Sequence, residues 1–322
     1  MIPLNQKEAR EFLSQNKIEN CEIKQIAGDA SFRSYYRIFF DDKKSHVLMF
    51  APPSHEDIKP FSKIDEFLVS HGFSAPKILA ADEKFGFLLL EDLDDDTYGR
   101  VLAKDSSHEL PLYEKACDVL LHLHKLPTPS GISPYNNALL FREVMLLVDW
   151  YLKLEKKSMS LEEIEEYKFL WFQLFDMLDK ENQVLVLRDY HADNLMMVKD
   201  RTGFASVGLL DFQDAVIGSK AYDLVSLLED ARRDVDAKNR EKLFEYYVKK
   251  SGVSEKQFTL DYEILSLQRN IKIVGIFARL SLRDGKHSYL KLLPRVLGFV
   301  HSRLDSENVI FSDMKKLLKK FL

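Results

Sequence analysis

Apolar residues alternate with polar ones in the first part of the chain and recur at helical spacing in most of the rest. Residues 4–15 have the pattern of a short helix. The stretch IKQIAGDASFRSYYRIFFDDKKSHVLMF alternates and is rich in β-branched and aromatic residues, which predicts three strands with turns at Gly28-Asp29 and Asp41-Asp42. Phe61, Ile64, Phe67 and Leu68 have helical spacing, and Gly72 marks the stop. SAPKILAADEKFGFLLLEDL predicts two further strands. Residues 1–93 therefore read as a small α+β unit dominated by an antiparallel sheet.

From about residue 97 the period turns helical. LYEKACDVLLHLHKLP and FREVMLLVDWYLKLEKK are amphipathic, and Ser160 with Glu163 has the capping-box spacing that opens a helix running to about Asp179. Beyond Ala221 the pattern is helical almost throughout. Between these helices lie three short apolar runs, VLVL, LMMV and VGLLDF, which read as buried strands. Residues 94–322 thus form a larger, mostly helical unit reached through the acidic connector EDLDDD. A cleft between two such lobes is a natural place for a small ligand.

Composition narrows the partners. The 322 residues are 46% hydrophobic and 30% charged, as in a packed globular protein. The net charge of −5 argues against general nucleic-acid binding. Cys21 and Cys117 show no metal-ligand spacing, so a reducing compartment is the default. The opening residues lack the apolar core of a signal peptide, and no apolar stretch approaches a membrane span. The expectation is a cytoplasmic protein with no nucleic-acid, membrane or evident protein partner. The basic C-terminal MKKLLKKFL is read as an ordinary surface helix rather than a membrane contact.

The chemistry concentrates in VLVLRDYHADNLMMV. A structural turn needs one Asp or Asn to bond its own backbone; this turn carries Arg188, Asp189, His191, Asp193 and Asn194. Asp211 follows at the end of the next apolar run, in LLDFQDA. An aspartate, an asparagine five residues on and a second aspartate after the return strand form the set that phosphoryl transfer uses. One carboxylate positions the attacking hydroxyl, and the other two groups hold magnesium. The protein-kinase pattern H-R-D-L-x-x-x-N followed by D-F-G is matched except that Leu187 replaces His and Gln213 replaces Gly.

Other polar residues have plainer readings. His191 packs or bonds within its loop in preference to acting as a base. Asp193 is equally a turn residue or a functional one. His122 and His124 point apart on a helix and are read as structural. Asp214, Arg232 and Arg233 are candidates for the acceptor side, with surface charge as the alternative for the arginines.

Several stretches together, GDASFRSYYRI, SAPKILAAD, FLLLEDL, LLHLHKLP, LRDYHADNL and LLDFQDAVIGSKAYDLVSLLEDARRDV, resemble the aminoglycoside phosphotransferase-like kinases. The resemblance implies a protein-kinase-like two-lobed fold, with a small antiparallel-sheet N-lobe (1–93) and a larger helical C-lobe (94–322). GDASFR, APPSHEDIKPF, RDYHADNL, DFQDAVIG and SLLEDARRDV in combination are similar to bacterial anomeric sugar kinases of cell-wall recycling. These phosphorylate N-acetylmuramate and N-acetylglucosamine at C1 with ATP.

By that resemblance Asp189 is catalytic, Asn194 and Asp211 bind Mg2+, and Asp223 is a structural aspartate that begins a helix. Gly28, Asp29, Ala30, Ser31, Phe32 and Arg33 form the loop over the phosphates of ATP. Glu91, Asp92 and Leu93 offer backbone groups to adenine. One departure stands out: the third strand, HVLMF, has no lysine for the phosphates. Arg33 is the preferred substitute, with Arg37, Lys43 and Lys44 as alternatives, and Glu66 is the helix carboxylate that such a lysine would pair with. A kinase for another small alcohol (aminoglycoside, choline or homoserine) and a nucleotide-binding module without transfer remain as alternatives. The late helices carry Arg269, Lys272, Arg279, Arg283, Lys286 and Arg295 against Glu263 and Asp284, which suits a neutral or anionic acceptor.

Overall fold

The computed structural model describes residues 4–26, 32–40 and 44–322. The two predicted turns at Gly28-Asp29 and Asp41-Asp42, together with Ala30, Ser31 and Lys43, lie outside the described residues. The chain falls into two compact units by its contacts: residues 1–104 with 193–214, and residues 105–192 with 215–322.

In the first unit, β1 (Glu22–Gln25), β2 (Ser34–Phe40), β3 (Lys44–Phe50), β4 (Ile78–Asp82) and β5 (Phe87–Glu91) form an antiparallel sheet in the order β1-β2-β3-β5-β4. The period of two sorts its side chains. Tyr36, Ile38, Leu48, Phe50, Phe87 and Leu89 bury themselves with Phe12 and Leu13 of α1 (Gln6–Gln15). Phe87 anchors that layer against Phe12 and Phe50, with ring centroids 5.5 and 5.3 Å away. Met49, between Leu48 and Phe50, therefore belongs to the opposite face. Helix α2 (Lys59–Ser70) buries Phe61, Ile64, Asp65 and Leu68, and Gly72 after it takes φ +82°.

The first unit runs on from residue 93 through α3 (Tyr98–Lys104) and also holds β7 (Leu195–Met197) and β8 (Val207–Leu209). Backbone pairing explains why. Outside its own hairpin, β7 meets Thr97 and β8 meets Ser74 in isolated bridges. Met197 N donates to Asp96 O at 2.8 Å and Leu209 N to Ser74 O at 2.9 Å.

The second unit contains α4 (Glu109–Leu123), α5 (Asn137–Leu146), α6 (Leu152–Leu154), α7 (Leu161–Asp176), α8 (Ala221–Leu228), α9 (Ala237–Ser251), α10 (Glu255–Asp284), α11 (Leu293–Leu304) and α12 (Ser312–Leu318). The Ser160–Glu163 capping box forms as the spacing predicts. The amphipathic stretch FREVMLLVDWYLKLEKK is not one even helix: a π turn spans Leu147–Tyr151 between α5 and α6. The 30-residue α10 crosses beside it, and a Cβ on Gly275 would stand 2.4 Å from the Leu146 carbonyl carbon. Glycine is what allows that approach. One strand was not anticipated. β9 (Val216–Ser219) pairs with β6 (Gln183–Val186), with Val186 opposite Val216.

Candidate active site

Strand β6 delivers Leu187, Arg188 and Asp189 into a sharp turn. Asp189 N donates to Leu187 O at 2.9 Å, and Arg188 between them has φ +70°. This is a γ-turn in its strained form, at a residue with a large side chain. Its backbone is held from behind. The buried Asp223 carboxylate of α8 accepts from Leu187 N at 2.7 Å and Arg188 N at 2.9 Å. Ser226 Oγ donates to Arg188 O at 3.1 Å. Burial pushes the Asp223 carboxyl up to about 7, against the pull of those two N–H groups.

Beyond Asp189, Tyr190 is buried and its hydroxyl donates to Ala116 O at 2.9 Å. His191 is buried too, and burial with the nearby Arg232 charge lowers its pKa to about 3. Its Nε2 lies 3.1 Å from Arg232 Nη1, so the guanidinium donates and the neutral ring carries its proton on Nδ1. His191 is thus packed in the interior, as its sequence context suggests, and its bond to Arg232 reaches a segment outside its own loop.

Residues 193–214 carry the second group of candidates. Asn194 ends a 3-10 turn, Ala192–Asn194, and directly precedes β7; Asp211 follows β8 by one residue. Leu195 pairs with Leu209, and Leu210 N donates to Asn194 O at 3.0 Å. The hairpin thereby brings Asn194 and Asp211 to the same end. Asp211 has φ +59°, a region that Asp and Asn tolerate better than most residues. Its Oδ1 accepts from Gln213 Nε2 at 3.0 Å. Phe212 is fully buried and stacks on Phe61 of α2 at 4.9 Å. Asp193 is set against α3: a Cβ on Gly99 would stand 2.0 Å from its Oδ1.

One amide oxygen and one carboxylate at one end of a hairpin form a hard, oxygen-only donor pair. That fits magnesium, which takes one or two carboxylates and completes its shell with phosphate and water. Among the described residues, no group of three or more His, Cys, Asp or Glu side chains could hold a metal by itself.

Just before β2, Phe32 is 48% exposed and Arg33 is buried. Arg37 is committed elsewhere: its Nε lies 2.6 Å from Asp92 Oδ2 and its Nη1 2.8 Å from Asp95 Oδ2. Asp92 also accepts from Ser45 Oγ at 2.6 Å, so its side chain anchors the connector to the sheet. Glu91 N donates to Lys77 O at 2.9 Å, its carboxylate meets Arg201 Nη2 at 2.5 Å, and Leu93 is buried. The buried carboxylate of α2 is Asp65, while Glu66 is exposed. Burial and the neighbouring Glu66 raise the Asp65 carboxyl to about 7.

The acceptor candidates separate. Asp214 is exposed and takes a 3.3 Å hydrogen bond from Gln213 Nε2. Arg232 stands beside His191. Arg233 binds the buried Glu109 carboxylate at 2.8 Å, and Glu109 also receives Asp236 N and Asn239 Nδ2, so Glu109 ties both Arg233 and the start of α9 to α4. Of the six late cations, four are engaged by the fold. Lys272 answers Glu143 at 3.3 Å, Arg283 answers Asp284 at 2.7 Å and Arg295 answers Asp234 at 2.6 Å. Arg269 donates to Ser226 Oγ at 2.8 Å. Sequence counting pairs charges along one helix, whereas three of these partners, Glu143, Asp234 and Ser226, come from other segments.

Sequence reasoning missed Glu143. It lies in the stripe Leu140, Glu143, Val144, Leu147, where a charge on the buried face of α5 was the available signal. Its carboxylate accepts from Arg188 and from the Tyr135 hydroxyl, and from Gln268 Nε2 at 2.9 Å. Burial alone would raise its pKa, but Lys272, Arg188 and these hydrogen bonds hold it below the ordinary value. A cavity of about 500 Å³ lined by Tyr135, Phe175, Gln183, Tyr222 and Leu265 opens at the other end of β6 from Leu187.

The model of the phosphotransferase enzyme family matches residues 22–256. An N-acetylmuramate/N-acetylglucosamine kinase of Caulobacter vibrioides is 33% identical over 322 aligned residues, covering 88% of each chain. One of the same name from Pseudomonas aeruginosa is 35% identical, covering 89% of this chain and 85% of its own. Among solved structures, ADP-bound aminoglycoside phosphotransferase APH(2'')-Ib superposes with a TM-score of 0.63 at 16% identity, over 93% of this chain and 99% of that one. Choline kinase LicA from Streptococcus pneumoniae gives 0.62 at 14%, over 92% and 98%. These likenesses show the protein-kinase-like α+β fold. With the family model covering both strand pairs, the γ-turn and the hairpin end that carry Asp189, Asn194 and Asp211, the chain belongs to the phosphotransferase enzyme family.

Proposed function

We propose that the protein is an ATP-dependent kinase that moves the γ-phosphoryl group to the anomeric (C1) hydroxyl of N-acetylmuramate or N-acetylglucosamine, a cytoplasmic step in recycling cell-wall sugars. The observation that carries this reading is the 32–35% identity, over most of the chain, to four kinases named for those two sugars. The candidate residues support it. Asp189 orients the C1 hydroxyl and takes its proton as the oxygen bonds to phosphorus and the bond to ADP breaks. An anomeric hydroxyl is more acidic than an ordinary alcohol, so a carboxylate base is adequate.

Asn194 and Asp211 would hold magnesium. When bound, it neutralises charge on the β- and γ-phosphates. Residues Gly28 to Arg33 would cover the phosphates, and Arg33 would supply the cation that the third strand lacks. The connector Glu91, Asp92 and Leu93 would meet adenine through backbone groups, since the Asp92 side chain is engaged by Arg37 and Ser45. Asp214 and Arg232 remain candidates for the sugar; Arg233, tied to Glu109, is assigned to the fold.

The test is proton-coupled phosphorus NMR of the product from ATP, magnesium and N-acetylmuramate. The expected signal couples to H1. Phosphate on C6, or transfer only to aminoglycosides, would overturn the anomeric assignment. No turnover with any sugar or alcohol, despite nucleotide binding, would leave a binding module.

A further inference from the structure

The turn that carries Asp189 is one that a chain does not adopt unaided. A non-glycine residue held at φ +70° costs on the order of 1–3 kcal/mol, so something must over-determine it. Asp223 and Ser226 grip only the backbone of Arg188. Its side chain is gripped by Glu143, a residue 45 positions earlier in the sequence. Glu143 is 6% exposed, a position where a carboxylate is costly unless it is paired and fully hydrogen-bonded.

Here it is both. Arg188, Lys272, the Tyr135 hydroxyl and Gln268 Nε2 all donate to it. Tyr135 serves twice, since its ring also lies 5.4 Å from the Arg188 guanidinium carbon. Lys272 is fixed in turn by the Tyr222 hydroxyl at 3.0 Å. A packing residue alone would not need this. Leucine, as at Leu140 in the same stripe, fills a helix face without a buried charge.

We propose that Glu143 is a positioning residue for phosphoryl transfer: by clamping Arg188 it fixes the γ-turn from which the Asp189 carboxylate projects. The inference rests on the reading of Asp189 as the group that orients the acceptor hydroxyl. Its physical content is pre-organisation. Arg188 and Asp189 share a peptide bond, so a rotation of the Arg188 backbone moves the carboxylate directly. Misplacement by about 1 Å costs roughly 100-fold in rate. The effect falls on the chemical step and leaves ground-state binding of ATP and sugar largely alone.

The test is a double-variant cycle with Glu143→Gln, Arg188→Gln and both together. It is read by kcat, the KM for each substrate, thermal melting, and hydrogen exchange of the 187–190 amides by mass spectrometry. Glu143→Gln is expected to lower kcat by roughly 10–100-fold with each KM within about threefold, and to speed exchange at 187–190. The double variant is expected to be no slower than Arg188→Gln, because the second change removes a clamp that is already open. A folded Glu143→Gln protein with kcat within about twofold of the parent, or strictly additive losses, would overturn the proposal.

Should that variant not fold, Glu143→Asp keeps the charge and withdraws the carboxylate by one methylene. The same kcat-selective loss is expected, and an unchanged kcat would again overturn it. If the parent turns over no sugar or alcohol, the kinase reading fails by itself. Unchanged exchange at 187–190 in Glu143→Gln would then refute the clamp independently of activity.

Discussion

Arg188 and Asp211 both have left-handed backbones, at φ +70° and +59°, but the two are supported by different physics. The turn at Arg188 is held by charge and hydrogen bonds: Asp223 and Ser226 on its backbone, Glu143 on its side chain. The hairpin end at Asp211 is held by backbone pairing and by apolar contact, with the buried Phe212 stacked on Phe61 of α2. A polar clamp fixes direction, because hydrogen bonds and guanidinium–carboxylate pairs are oriented. Apolar packing fixes position with less demand on angle. The proposed proton acceptor, Asp189, needs the first. The proposed metal ligand, Asp211, whose metal would keep phosphate and water in its shell, is served by the second.

The comparison is tested most severely at Asp189. Asp189→Ala should lower kcat by roughly 10²–10⁴-fold while the melting temperature stays near the parent's, since the supports of the turn lie behind it. Normal turnover in a normally melting protein would remove Asp189 from the reaction.

On the apolar side the loss should be one of stability. Phe212→Ala deletes a fully buried ring and should cost about 3–5 kcal/mol in urea unfolding. A loss under about 1 kcal/mol would mean that backbone pairing alone holds the hairpin end. Asp211→Asn separates support from function, because asparagine tolerates the same φ. Melting should be nearly unchanged, while the magnesium needed for half-maximal rate rises by at least the roughly 10–100-fold that loss of a metal ligand's supporting partner costs. Superimposable magnesium titrations of variant and parent would put the metal elsewhere.

The smallest effect concerns Asp65, 2% exposed in α2 with its carboxyl raised to about 7. The folded state keeps a proton that the unfolded chain releases near pH 4. Stability from this group is therefore full below pH 4 and is lost as pH rises to about 7. Asp65→Asn removes that loss. Relative to the parent, the variant should gain on the order of 1–2 kcal/mol between pH 4 and pH 8, after allowing for partial screening. A difference independent of pH would show that the carboxyl titrates normally.

Much of this was written in local pattern. The Ser160–Glu163 cap, the α2 stripe closed by Gly72 and the strands on either side of RDYHADN follow from spacing, because helices and strands impose periods on neighbouring residues. Asp189, Asn194 and Asp211 were legible as candidates for the same reason: each lies within a few residues of an apolar run that fixes it. Glu143 and Asp65 left a weaker mark, one carboxylate in an otherwise apolar helical stripe. Such a mark announces a buried charge without naming its partner.

What the sequence by itself determined is the set of elements, their order and the residues set on the turns between them. Only the tertiary structure decided which strand meets which. VLVL and LMMV look alike and flank one turn, yet β6 pairs with β9 and β7 with β8. VIGS is too short and glycine-interrupted to announce a strand, and it becomes one because β6 offers it an unpaired edge. Tertiary structure also decided that residues 193–214 group with the sheet unit, that Arg188 finds Glu143, and that Arg269, Lys272 and Arg295 are answered from other segments. Hydrogen-bond ladders and ion pairs join groups distant along the chain, and a period of 2 or 3.6 residues carries no record of a partner 30 or 45 positions away.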